Sequence, residues 1–266
     1  MVAPGRGAPG EAGWGAYCEP VPTPAEVLAS ILRSDATRPR LTFYDDAEGP
    51  TRGERIELSA KVLGNWVNKA GNALQEELDA GPGVVVAIVL PVHWRAVYWA
   101  LAAWSVGATV VLPGPEASAT DLAAGADLLV TDDPQLAARS TARVVLVSLP
   151  MLARSRPDTP PGAFDEADQL AGYGDVLDAW DEAAGDAPAL RLGDGGEQTA
   201  YGDVVPRRDW GPGPRVSLAG SLEGVLRDAL AAWALDGSVV IVRDPHGDQS
   251  ARLAAEAVTL DLSRGR

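Results

Sequence analysis

Apolar residues along this chain follow two rhythms, and the alternation between them lays out the elements. A helix is predicted at 23–33, where Thr23 suits the N-cap, Pro24 the first helical position and Glu26 the capping-box position. Its apolar residues are Val27, Leu28, Ile31 and Leu32. Short strands follow at 41–44 and 54–58 with a turn between them, which reads as a hairpin. Ser59 caps a longer helix running to about residue 78, with Leu63, Trp66, Val67, Ala70, Leu74 and Leu78 recurring on one face. Gly81, Pro82 and Gly83 stop it.

The next stretch, 84–90, is continuously apolar, as a strand covered on both faces must be. A Trp- and Ala-rich helix follows at 93–106 and ends at Gly107. Strands at 108–112, 127–131 and 143–149 then alternate with helices at 121–125 and after Pro134. This β-α-β-α-β-α-β order predicts a parallel sheet with right-handed crossovers. Residues 150–172 hold Pro157, Pro160, Pro161 and Gly162 and are expected to be an irregular connection. A weak helix is expected at 173–184, then strands at 189–192 and 198–205 around a Gly-rich turn. A strand at 215–218, a helix at 221–235, a strand at 238–242 and a helix at 249–257 complete the pattern. The organisation read from this is a flexible arm at 1–22, an α/β subdomain at 23–149, a connection at 150–172 and a smaller α/β lobe at 173–266.

Composition narrows the function classes. The 266 residues are 46% hydrophobic, enough for a sizeable core, and carry a net charge of -15. Nucleic acid and anionic membrane surfaces are recognised first through positive charge, so neither is an expected partner. No apolar run is long enough for a signal peptide or a membrane span. Cys18 is the sole cysteine, which excludes an internal disulfide and a cysteine-based metal site and fits a reducing cytoplasm. Cytoplasmic localisation is therefore expected.

Three words carry a resemblance to a known family. They are Gly-Val-Val-Val-Ala-Ile-Val-Leu-Pro at 83–91, Leu-Ala-Ala-Trp-Ser-Val-Gly-Ala at 101–108 and Ala-Asp-Leu-Leu-Val-Thr-Asp at 126–132. In this order, with the hairpin and long helix before them, the chain resembles the N-terminal subdomain of the adenylate-forming (AMP-binding, acyl-CoA synthetase-like) superfamily. It is similar in particular to short hypothetical proteins of Actinobacteria. The segment 215–259 is similar to the part that follows that family's phosphate loop. The implied fold is α/β, with a mostly parallel doubly wound sheet and without the C-terminal lid domain.

The family's functional residues do not carry over. Its phosphate loop reads Ser/Thr-Gly-Thr/Ser-Thr-Gly-x-Pro-Lys, whereas the aligned stretch 190–198 reads Leu-Arg-Leu-Gly-Asp-Gly-Gly-Glu-Gln, with no hydroxyl, proline or lysine. The family's magnesium-binding Glu has no counterpart, and its ribose-binding Asp and the lysine of its lid fall beyond residue 266. The only lysines, Lys61 and Lys69, lie on the second predicted helix. Gly193, Asp194, Gly195 and Gly196 are thus a degenerate phosphate-loop position that reads more readily as a hairpin turn. Asp194 and Glu197 would repel a triphosphate. No catalytic residue, cofactor or metal is expected.

Other groups allow two readings. His93, after a strand end, stands either at a ligand-binding edge or at a helix start packed on the sheet. His246 lies in a turn, and two separated histidines make a weak metal signal. Asp45, Asp46, Asp132 and Asp133 adjoin strand ends, where solvated loop is the expected state. Trp66, Trp94, Trp99, Trp104 and Trp233 are expected to be core or interface anchors, and any of Trp94, Trp99 or Trp104 left exposed would mark a docking surface. The expectation is a catalytically inactive relative of the family that binds a protein partner or a small ligand. The alternative is a reduced adenylate-forming enzyme completed by a partner subunit.

Overall fold

A computed structural model describes residues 21–114, 118–193 and 196–263. Helix α1 (Pro24–Ser34) opens with a complete capping box: Thr23 accepts from the Glu26 amide and the Glu26 carboxylate accepts from the Thr23 amide. Strands β1 (Pro39–Asp45) and β2 (Arg55–Ser59) form an antiparallel hairpin, and Ser59 caps α2 (Ala60–Glu76). The parallel series follows as β3 (Val85–Val89), α3 (Trp94–Ser105), β4 (Thr109–Leu112), α4 (Ala119–Ala124), β5 (Leu128–Thr131), α5 (Pro134–Arg139) and β6 (Arg143–Leu146). Next come β7 (Phe164–Asp165), α6 (Glu166–Gln169), β8 (Pro188–Leu192) and β9 (Gln198–Ala200). The chain continues with β10 (Arg215–Leu218), α7 (Leu222–Ala234), β11 (Ser238–Arg243), α8 (Ser250–Ala255) and β12 (Leu260–Asp261).

The fold is α/β and mostly parallel, as read from the sequence, with its strands in two sheets. One has the order β12-β10-β11-β1-β2 and the other β7-β6-β5-β3-β4-β8-β9. Pairing crosses the expected boundary near Gly172 twice, since β1 lies parallel to β11 and β4 lies parallel to β8. Helices α1, α2, α3 and α7 fill the space between the sheets, α2 against β1 and β2, α3 against β3 and β4, and α7 against β10 and β11. Helices α4 and α5 cover the far face of the seven-stranded sheet through a separate cluster around Leu122, Leu129, Leu136 and Leu146. The result is a layered body of α4 and α5, the seven-stranded sheet, the central helices and the five-stranded sheet.

Helix α3 shows why this arrangement forms. Every residue from Trp94 to Trp104 is buried, so the helix has no face for solvent and needs apolar cover all round. Trp94, Trp99 and Trp104 are all buried, and the docking surface that their exposure would have marked is not there.

Two segments depart from the sequence reading. Residues 173–184 are irregular rather than helical, because α2 satisfies their backbone from outside. Asn68 donates to the Asp175 carbonyl at 2.7 Å, Asn72 to that of Val176 at 2.9 Å and Gln75 to that of Asp178 at 3.0 Å. Lys69 also donates to the carbonyls of Ala171 and Tyr173. A backbone whose carbonyls already have partners gains little by coiling. The 150–172 connection, expected to be irregular, contains β7, which extends the sheet beside β6, and the short helix α6.

Gly237, at the turn from α7 into β11, is a point of close backbone approach. A Cβ there would lie 2.3 Å from the Pro214 carbonyl oxygen and 2.7 Å from that of Ala232. Gly237→Ala is therefore expected to destabilise the fold by about 2–4 kcal/mol in urea unfolding. Gly185→Ala, where a Cβ meets nothing within 4 Å, should stay within about 0.5 kcal/mol of the parent.

Candidate functional site

Of the degenerate phosphate-loop position, Gly193 and Gly196 follow β8 and precede β9, whose antiparallel register pairs Leu190 with Thr199 and Arg191 with Gln198. Gly193 is buried with φ at +65°, a conformation that suits glycine. Its amide donates to the Leu112 carbonyl at 2.9 Å, continuing the parallel pairing of β4 and β8. The Leu192 amide donates to Glu197 at 3.4 Å, closing the turn. A Cβ on Gly196 would lie 1.6 Å from the Leu192 carbonyl oxygen, so only glycine permits this closure. Asp194 and Gly195 lie outside the described residues.

A phosphate cradle works through converging free amides, assisted by a lysine charge. Here two amides of the tip are already engaged in the fold, and Glu197 is exposed beside them. Lys69 is held on α2 by Asp175 at 2.9 Å and by backbone carbonyls, away from the hairpin. One cation was missed by the sequence reading: Arg191, on β8 itself, has a buried Nε without a hydrogen-bond partner. Its place two residues before Gly193 was the signal.

Beyond the carboxyl ends of the strands lies a second concentration of polar groups. His93 is the N-cap of α3, its Nδ1 accepting from the Arg95 amide at 3.2 Å while its ring packs edge-on against Phe43 at 4.6 Å. Of its two sequence readings, the helix start is what the geometry gives. Burial pushes the imidazole pKa down to about 3, with the charges of Arg95 and Arg243 adding to the effect. The ring is neutral, and with Nδ1 accepting, its proton sits on Nε2, which is buried without a partner.

Asp45 is buried rather than solvated. It accepts from Thr51 Oγ1 at 2.7 Å, the Ala47 amide at 3.0 Å and Arg243 at 3.1 Å. Asp46 likewise holds Arg252 through both oxygens at 2.7 Å. Burial raises the Asp132 pKa, while Asp133 is exposed and caps α5 through the Gln135 amide. His246 is exposed, 3.4 Å from Asp244. Among the described residues no group of three or more His, Cys, Asp or Glu is placed to hold a metal ion.

The centre of this region is Glu166, which sequence reasoning passed over. It is fully buried and accepts from Trp99 Nε1 at 3.0 Å, Arg95 at 3.2 Å, the Ser148 amide at 3.4 Å and the Tyr98 hydroxyl. Arg95 also donates to the Pro150 carbonyl at 3.1 Å and lies over the Trp94 ring. Burial pushes the Glu166 pKa up to about 7, against the pull of Arg95 and of the Ser148 amide. The arrangement ties α6 to the start of α3.

Known proteins place this geometry. Residues 33–171 match the sequence profile described as AMP-binding enzyme, which is more than half of the chain. The chain belongs to the AMP-binding enzyme family. It is 36% identical over 214 residues to a TIGR03089 family protein of Mycobacterium tuberculosis (strain ATCC 25618 / H37Rv), covering 79% of this chain and 72% of that one. Among solved structures, acetoacetyl-CoA synthetase from Streptomyces lividans superposes with a TM-score of 0.70 at 19% identity, over 90% of this chain and 42% of that one. Brucella canis acyl-CoA synthetase gives 0.66 at 18%, over 90% and 47%. The N-terminal subdomain of Klebsiella oxytoca NpsA gives 0.65 at 15%, over 91% and 61%. These likenesses carry the fold alone, and the chain spans less than two thirds of each of these solved chains. The profile match ends before the hairpin at 188–200.

Removing the Glu166 carboxylate strands the Arg95 charge in the interior, so Glu166→Ala should cost about 3–5 kcal/mol by chemical denaturation. Adding Arg95→Met should recover a good part of the loss. Folding raises this carboxyl pKa above its ordinary 4.5, so its contribution favours the fold below pH 4.5 and is lost as the pH climbs towards about 7. Stability of the parent relative to Glu166→Gln should therefore fall across that window.

Proposed function

We propose that this member of the AMP-binding enzyme family keeps the architecture as a scaffold for a protein partner or small ligand and does not grip a nucleoside triphosphate at its β8–β9 hairpin. The observation that carries the reading is the engagement of the buried Gly193 amide with Leu112. A phosphate could take that donor only by breaking the sheet pairing. Charge supports the same conclusion. Glu197 is exposed at the turn, and like charges about 4 Å apart repel by roughly 4 kcal/mol at the effective dielectric of a protein surface. The lysine charge that a phosphate loop supplies is absent from the hairpin, whose strands offer Arg191 instead.

A second reading takes its support from the superposition on N-terminal subdomains. In it the chain is one part of an adenylate-forming enzyme whose remaining chemistry comes from a partner subunit. The two readings differ in nucleotide affinity and in turnover. Calorimetric titration with Mg-ATP is expected to give no saturable heat up to about 1 mM. ATP–pyrophosphate exchange with a panel of carboxylic acids is expected to stay at background. Micromolar affinity, or exchange that appears with a co-purifying subunit, would move the conclusion to the second reading.

A further inference from the structure

Apart from the hairpin and the strand-end network, a cleft lies between α1, the C-terminal end of α3 and the 173–184 segment, with a volume of about 420 Å³. We propose that it binds a small amphiphile with an apolar body and a cationic head, an alkyl- or arylammonium. This goes beyond the scaffold reading and does not depend on it.

The shape of the cavity is built by α2. A Cβ on Gly64 would touch Leu32 of α1 at 3.3 Å, and one on Gly71 would meet Leu177 at 2.5 Å. These two glycines let α1 and the 173–184 segment settle onto the same helix, and Asn68 sits between them on the cavity wall, anchored to the Asp175 carbonyl. The aromatic wall is apolar in effect. Trp104 donates to the Ala189 carbonyl at 2.7 Å and Tyr201 to that of Ala108 at 2.8 Å, so their polar atoms are engaged elsewhere. Both side chains are almost fully buried and floor the cavity, and its apolar contact surface comes from Ala29, Leu32, Leu177 and Ala183, which suits an alkyl chain.

Charge selects the head group. The lining includes Glu26 and Glu182 and no lysine or arginine. Glu26 is held in place by the capping box, accepting from the Thr23 amide at 2.7 Å, and Glu182 is exposed at the rim. A carboxylate-headed ligand would meet two like charges and no partner, whereas an ammonium meets its complement. The cavity volume lies within the range of small-molecule sites. It is bordered by Gly107, just before β4, at the end of the parallel sheet opposite to the Gly193 turn.

The test compares hexylammonium with hexanoate, which share an alkyl chain and differ in head-group charge, by isothermal titration and by amide and indole NMR shifts. Hexylammonium is expected to saturate with a dissociation constant of roughly 1 mM, with shifts centred on Trp104, Ala29 and Ala183. Hexanoate should bind at least about tenfold more weakly. Glu182→Gln should weaken hexylammonium by roughly threefold, an effect that fades in high salt. Ala29→Leu or, independently, Ala183→Leu should fill the space and weaken binding about tenfold while the melting temperature holds. Equal binding of the two probes, absence of saturation with hexylammonium, or full binding by both leucine variants would each overturn the proposal.

Discussion

A helix with no solvent face governs this structure. Helix α3 is buried along its whole length from Trp94 to Trp104, and such a helix is stable only when covered on every side. The seven-stranded sheet covers one side. The rest of the cover comes from α1 and α2 and, beyond them, the five-stranded sheet. That second sheet exists because β1, near the start of the chain, pairs with β11, near its end. The interleaved topology thus follows from the need to enclose α3. So does the Glu166 network, which supplies an acceptor for Arg95, Tyr98 and Trp99 as they leave water with the helix.

The same closure explains the hairpin. A loop that binds phosphate keeps its amides free and tolerates the strain of doing so. The β8–β9 turn instead continues the sheet pairing to Gly193 and folds Gly196 hard against Leu192. The described ends of this turn are sheet structure, held by pairing with β4 and by the close approach of Gly196 to Leu192.

Much of this was legible in the sequence where partners are near. The Thr23 capping box, the Ser59 cap, the apolar stripe of α2 and the continuous strand at 84–90 are local signals, and each reappears as an element. The words at 83–91, 101–108 and 126–132 carried the family, because their order reflects the parallel β-α-β series. What failed to show was set by distant residues. The 173–184 segment has helix-compatible composition, yet its carbonyls are taken by Asn68, Asn72 and Gln75 from about a hundred positions earlier. Asp45 looked like solvated loop until Arg243 arrived from the other end of the chain. Glu166, inside a Pro-rich connection, carries no local mark of its partners on α3. The division into two sheets was invisible for the same reason, since register between β1 and β11 is a property of neither strand alone.

Whether the hairpin belongs to the fold or to a ligand is decided at a single amide. Hydrogen exchange at Gly193, followed by NMR with and without Mg-ATP, reads that amide directly. Protection comparable to the neighbouring β4–β8 pairs, unchanged by nucleotide, is the expected result. A rapidly exchanging Gly193 amide that becomes protected when Mg-ATP is added would contradict it.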